Sequence, residues 1–190
     1  MSTNNPKHKR RSIRLPEYDY SQEGLYYVTI CTQDRLCLFG EITNGRMKFN
    51  QYSEIADQCW RAIPQHFTNI LLGEYVIMPN HVHGIIIITE PPVGTRHAVS
   101  LPSRALFGNP QVGSLSTIIR SYKSAVTRQI NIIRTKNEPV IWQNRFYEHI
   151  IRNEKSFNKI RRYIIDNPLY WATDDENPNR PIIRLNIPET

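Results

Sequence analysis

The stretch that most restricts the fold is Glu74–Glu90, EYVIMPNHVHGIIIITE. Two apolar runs, Tyr75–Met78 and Gly84–Thr89, are joined across Pro79-Asn80. A proline-asparagine break between two such runs reads as a turn, so they are expected to pair as an antiparallel hairpin. The polar centre of the stretch is His81-Val82-His83. Side chains alternate along a strand, so His81 and His83 project together while Val82 turns back into the core. Two adjacent imidazoles are two of the ligands that a divalent metal takes. They are equally a pair of hydrogen-bonded polar residues at a strand end, and spacing alone leaves both readings open.

The other elements follow from period. Leu25–Thr32, dense in aromatic and β-branched residues, reads as a buried strand. Gln33–Arg35 reads as a turn and Leu36–Ile42 as a short strand, with Arg46–Phe49 returning through the Asn44-Gly45 turn. From Tyr52 to Phe67 the apolar spacing becomes helical, with Asn50 or Ser53 as cap and an end near Ala62–Ile63, ahead of Pro64. Ser114–Arg134 is the clearest helix, its stripe made of Leu115, Ile118, Ile119, Tyr122, Ala125, Val126 and Ile130. A short strand at Val140–Gln143 and an extended Phe146–Arg152 come next, then a last helix from Glu154 or Lys155 to Asn167, stopped by Pro168. The order predicts an α+β fold: a four-stranded antiparallel sheet of ferredoxin-like or RRM-like kind, with helices packed mainly on one face.

The 190 residues suit one domain with tails. Residues 1–24 read as a basic arm and loop, 25–171 as the main folded domain, 91–113 as an inserted proline- and glycine-rich loop, and 172–190 as an irregular tail. A net charge of +7 favours a polyanionic partner. Cys31, Cys37 and Cys59 have no metal-finger spacing, and an odd count without a secretory signal points to thiols in the cytoplasm. No apolar run approaches the roughly 18–20 residues of a membrane span, so no membrane partner is expected.

The last helix carries a second constellation, FNKIRRYIIDNP. At 100° per residue, Phe157, Ile160 and Ile164 form the arc that faces the sheet. Tyr163 and Asn167, four apart, stack on adjacent turns at its border. A border tyrosine is ordinarily amphipathic filler. Beside a carboxamide, a histidine pair and a basic surface it also fits a nucleophile. A divalent metal (Mg2+ or Mn2+) held by His81, His83 and the Asn167 amide oxygen would polarise a phosphodiester for attack by Tyr163. Tyr147 and Tyr122 are the competing tyrosines. Tyr147 has no ligand-type residue on a shared helical face, and Tyr122 faces inward.

These residues resemble the HUH single-tyrosine transposases. MPNHVHGIIII, WQNRFYEHIIRNEKS and YIIDNP together are most similar to the REP-associated tyrosine transposases. The three blocks in order are specific, whereas HVH alone is weak, and the resemblance spans about Arg11 to Trp171. It implies His81 and His83 as metal ligands, Tyr163 as nucleophile and Asn167 as third ligand, where the transposases proper often carry glutamine. The activity implied is metal-dependent cleavage and strand transfer on single-stranded DNA, at hairpin-forming repeats, through a 5′-phosphotyrosine, by a monomer or a homodimer. Arg14, Arg120 and Lys123 are the candidate DNA contacts. Two other classes remain: an RRM-like nucleic-acid module without chemistry, and a metal-dependent hydrolase of small substrates, for which the sequence offers no acidic ligand cluster.

Overall fold

The aromatic and β-branched run LYYVTIC forms β1 (Gly24–Cys31), an inner strand of a four-stranded sheet. The computed structural model describes residues 18–90, 113–135 and 139–180. Arg14 and most of the 91–113 insertion therefore lie outside the described residues. β4 (Ile70–Met78) and β5 (His81–Ile88) pair antiparallel, as the Pro79-Asn80 break predicts. β5 then pairs with β1, and β6 (Tyr147–Ile151) adds to the other side of β1, giving the order β4-β5-β1-β6. The pairing sets His83 opposite Thr29 and His81 opposite Cys31.

β2 (Gly40–Thr43) and β3 (Arg46–Phe49) form a separate hairpin. Its turn residues Asn44 and Gly45 have φ of 52° and 70°, the paired positive values of a tight two-residue turn. The expected strand from Leu36 starts only at Gly40, because Gln33–Arg35 forms a 3-10 turn with two left-handed residues, Asp34 and Arg35. Val140–Gln143 is likewise not a strand but touches β1's end through a bridge between Thr32 and Trp142. β6 holds that side of β1 only from Leu25 to Thr29, so Val140–Gln143 meets just the end of the strand, where the Gln143 amide donates to the Cys31 carbonyl at 3.0 Å.

Local sequence sets the helix ends. Asn50 caps α1 (Gln51–Arg61), accepting from the amides of Tyr52 and Ser53, while Ser53 reciprocates to the Asn50 amide. Pro64 opens a separate short α2 (Ile63–His66). Ser114 caps α3 (Leu115–Ile133) and Asn153 caps α4 (Glu154–Asp166). α4 gives way at Asn167 to a 3-10 segment, Asn167–Thr173.

The two faces of the sheet carry different loads. Tyr26, Val28, Ile30, Val82 and Ile86 point toward α1, α2 and α3 and form the main core. Every predicted apolar residue of α3 except the partly buried Ala125 is fully enclosed there, and each buried Ile or Leu contributes about 1.5–3 kcal/mol. Tyr27, Ile85 and Ile151 point the other way, onto Phe157, Ile160 and Ile164 of α4. Among the described residues, α1, α2 and α3 thus share one face, and α4 lies on the face that carries both histidines. At Gly84, beside His83, an added Cβ would lie 2.2 Å from the Trp60 ring, so α1 sits as close to β5 as glycine allows.

Candidate active site

The turn before β5 fixes the first ligand. The Asn80 side chain donates its Nδ2 hydrogens to the carbonyls of Arg35 (3.0 Å) and Glu176 (2.7 Å). That leaves its Oδ1 only as an acceptor, 2.8 Å from His81 Nδ1. His81 therefore carries its proton on Nδ1, and the lone pair of Nε2 is exposed to the site. His81 is fully buried and Nε2 has no hydrogen-bond partner. His83 is held in the same way by the hydroxyls of Tyr27 (2.8 Å) and Thr29 (2.9 Å) at Nδ1. Carbonyls and hydroxyls on Nδ1 leave Nε2 to face outward, the usual second layer around a histidine ligand. The two rings are 4.3 Å apart.

α4 and the segment after it complete the group. Asn167 is 1% exposed and donates Nδ2 to Asp174 Oδ2 at 2.9 Å. That bond orients the amide, because its oxygen would be repelled by the carboxylate. Asn167 Oδ1 is left buried without a partner. Two orphaned buried acceptors in one site are costly, by about 1–3 kcal/mol each, unless something positive meets them. The nearest ligand atoms of His81, His83 and Asp174 lie within 4.8 Å of one another, close enough to converge on one ion. Nitrogen, amide and carboxylate donors together suit Mn2+ or Mg2+. The residues fit a divalent cation.

Tyr163 stands at the mouth, half-exposed, its hydroxyl 3.4 Å from both His83 Nε2 and Asp174 Oδ2. All of these residues belong to one chain. Burial and the Asp174 carboxylate push the Tyr163 phenol up to about 12, so it is protonated at neutral pH. A cation at the site would offset that negative charge. Of the competitors, Tyr122 is buried in the main core, while Tyr147 lies exposed on β6.

The structure brings in a residue that the sequence reading left in the tail. Asp174 is buried because its segment is pinned: Oδ1 accepts the Glu176 amide at 2.6 Å, and Asn80 holds the Glu176 carbonyl. The Glu176 carboxylate pairs with Arg35 at 3.0 Å. The site is therefore not without acidic side chains, contrary to the sequence expectation. The only sequence signal was an acidic cluster, DDE, within reach of Asn167, and nothing in its pattern separated it from a solvated tail.

The candidate DNA contacts sit elsewhere. Arg120 and Lys123 lie on α3, which packs on the opposite face of the sheet from the histidines. They line a groove of about 550 Å3 with Ser124, Thr127 and Trp142. Arg120 is exposed. Lys123 turns inward to the carbonyls of Gln143 (2.7 Å) and Arg145 (3.1 Å), and burial lowers its ammonium to about 8. It ties α3 to the segment leading into β6.

Both histidines are neutral in the folded chain. Burial lowers His81 to about 4 and His83 well below its usual value. An unfolded histidine protonates near 6.5. Between about 6.5 and 4 the unfolded state thus binds protons that the folded state refuses, and stability falls as pH falls. Thermal unfolding of the metal-free protein is expected to drop by roughly 5 °C or more between pH 7 and pH 4.5. A midpoint unchanged over that window contradicts the burial of neutral imidazoles.

No family model matches the chain. A Haemophilus influenzae protein of uncharacterized function is 42% identical over 175 residues, covering 88% of this chain and 92% of that protein. A second protein of that organism, provisionally named a REP-associated tyrosine transposase, is 28% identical over 152 residues, 80% of this chain and 73% of its own length. A solved structure of a REP-associated tyrosine transposase bound to a REP hairpin superposes with a TM-score of 0.55 at 21% identity. That match covers 82% of this chain and 72% of the other, and it shows the shared fold.

Proposed function

We propose that this chain, similar to a provisionally named REP-associated tyrosine transposase, is a metal-dependent endonuclease and strand transferase of single-stranded DNA. The observation that carries the proposal is the meeting of the Tyr163 hydroxyl with His83 and Asp174 beside two orphaned acceptors, His81 Nε2 and Asn167 Oδ1. His81, His83, Asn167 and Asp174 would hold the cation, which supplies Lewis-acid stabilisation of charge on the scissile phosphate and the departing oxygen.

The chain's own part is positioning. The α4 stripe holds Tyr163 Oη in front of the phosphorus, with Phe157, Ile160 and Ile164 locking the helix to the sheet. Attack forms a bond from Tyr163 Oη to phosphorus and breaks the bond from phosphorus to the 3′ oxygen. The phenolic proton is released to solvent and the departing oxygen takes one up as a 3′-OH. The 5′ phosphate stays on Tyr163, so the reverse attack by a 3′-OH joins strands without a nucleotide cofactor. One chain supplies both tyrosine and ligands, which supports assembly in cis, whether as monomer or homodimer.

Arg120, with the arm around Arg14, is assigned to phosphate contact, while Lys123, expected beside it, gives its ammonium to the Gln143 and Arg145 carbonyls; a hairpin-forming repeat is the proposed partner, as in the REP-bound relative. The groove beside Arg120 supports this assignment. No helix of the described residues is long and apolar enough to cross a membrane, and action on DNA in the cytoplasm fits the three cysteine thiols. A binding module without chemistry would leave the buried His81 Nε2 and Asn167 Oδ1 unexplained. The test is incubation with hairpin oligonucleotides bearing single-stranded flanks, with Mn2+ or with EDTA. Cleavage and a protein–DNA band on a denaturing gel are expected with Mn2+ only; binding without cleavage in either condition supports the module.

A further inference from the structure

α4 covers β4, β5 and, through Ile151, the far end of β6 on the histidine face, which leaves the Tyr147–His149 end of β6 exposed on that face. Tyr147 stands there at 45% exposure, opposite Thr29. His149, two residues on and also exposed, shares its side of the strand. The buried Tyr27 ring lies between Tyr147 and Tyr163. Its centroid is 6.2 Å from Tyr147 and 6.4 Å from Tyr163, with both rings edge-on to it. An exposed ring is therefore fixed one aromatic step from the proposed nucleophile. Exposed Arg145 and Arg152 flank the strand at either end.

At 45% exposure Tyr147 offers ring surface to solvent beyond its contact with Tyr27. A nucleotide base offers a flat apolar surface, and base–aromatic stacking requires no sequence match. Cations at the two ends of β6 suit the phosphates on either side of such a base. A protein partner would have to bring acidic groups to both arginines, whereas the single strand proposed to lie at Tyr163 brings its own phosphates. We propose that Tyr147, with His149 beside it, is the stacking platform for a base next to the scissile phosphate. It is a substrate-positioning subsite and rests on the reading of Tyr163 as nucleophile.

The experiment uses the full chain carrying Tyr163→Phe, so that binding is read without cleavage. Abasic sites are walked one at a time through the single-stranded flank of a hairpin oligonucleotide, and affinity is measured for proteins with Tyr147 intact, Tyr147→Ala and Tyr147→Trp. Tyr147→Ala is expected to weaken binding about tenfold and Tyr147→Trp to retain it. At one position the abasic site weakens the Tyr147 protein to the same extent and costs the alanine variant nothing more, the signature of a coupled pair. Equal abasic penalties in both proteins at every position, or unchanged affinity of Tyr147→Ala, overturn the proposal. If this coupling holds while the Tyr163 protein forms no adduct, the nuclease reading fails and the platform stands as a binding site; if adducts form without coupling, only the platform fails.

Discussion

Tyr163→Phe is expected to abolish the covalent protein–DNA adduct, with cleavage reduced at least about a thousandfold, the scale of a removed nucleophile. The substitution deletes one oxygen and leaves the ring, whose edge contact with Tyr27 is kept. The lost hydroxyl contacts, both 3.4 Å, are long and half in solvent, so the cost to folding is small, under about 1 kcal/mol. Affinity for single-stranded DNA is expected to remain, because none of the proposed phosphate contacts is touched. An adduct that survives in the phenylalanine variant, seen on a denaturing gel, removes Tyr163 from the role. Its raised pKa sharpens the expectation: at neutral pH the phenol is protonated, so the wild-type reaction should depend on cation binding to offset the Asp174 charge.

Gly84→Ala is expected to destabilise the fold by about 3 kcal/mol or more, at the upper end of overpacking costs. The added Cβ would meet the Trp60 ring at 2.2 Å. Trp60 cannot yield: it is fully buried, stacked on Tyr75 at 5.7 Å and edge-on to Tyr122 at 5.2 Å. The strain must move β5 or α1. A shift of β5 displaces His83, the residue before Gly84. The thermal midpoint should fall by roughly 6–12 °C, and a variant that still folds should bind Mn2+ more weakly. A midpoint within a degree of wild type contradicts the close approach of α1 to β5.

Much of this arrangement is legible in the chain because it follows from period. Alternation around Pro79-Asn80 gives the β4–β5 hairpin and puts both histidines on one face. The 3.6-residue stripe of α4 places Phe157, Ile160 and Ile164 on the sheet and Tyr163 with Asn167 at the border, as the structure has them. Residues whose roles come from tertiary contact carry no such signal. Asp174 enters the site only because Asn80 and Arg35 pin the irregular segment around Glu176. Lys123 falls on the polar side of its helix, yet its ammonium is captured by two carbonyls of the segment before β6. Val140–Gln143 has strand composition, but β6 already holds that side of β1 from Leu25 to Thr29 and leaves only the end at Cys31 and Thr32, where a single bridge forms. Composition predicts what a segment can do; the competition for partners decides what it does.

In the proposed mechanism one chain joins a tyrosine nucleophile, Tyr163, to a divalent-cation site built from His81, His83, Asn167 and Asp174. The most direct test is peptide mapping by mass spectrometry after reaction with a hairpin oligonucleotide, in Mn2+ and in EDTA. A 5′-phosphate linkage on Tyr163 is expected in the Mn2+ sample and no linked peptide in EDTA. A linkage on Tyr147 or another residue, or cleavage in Mn2+ with no protein–DNA bond, would contradict it.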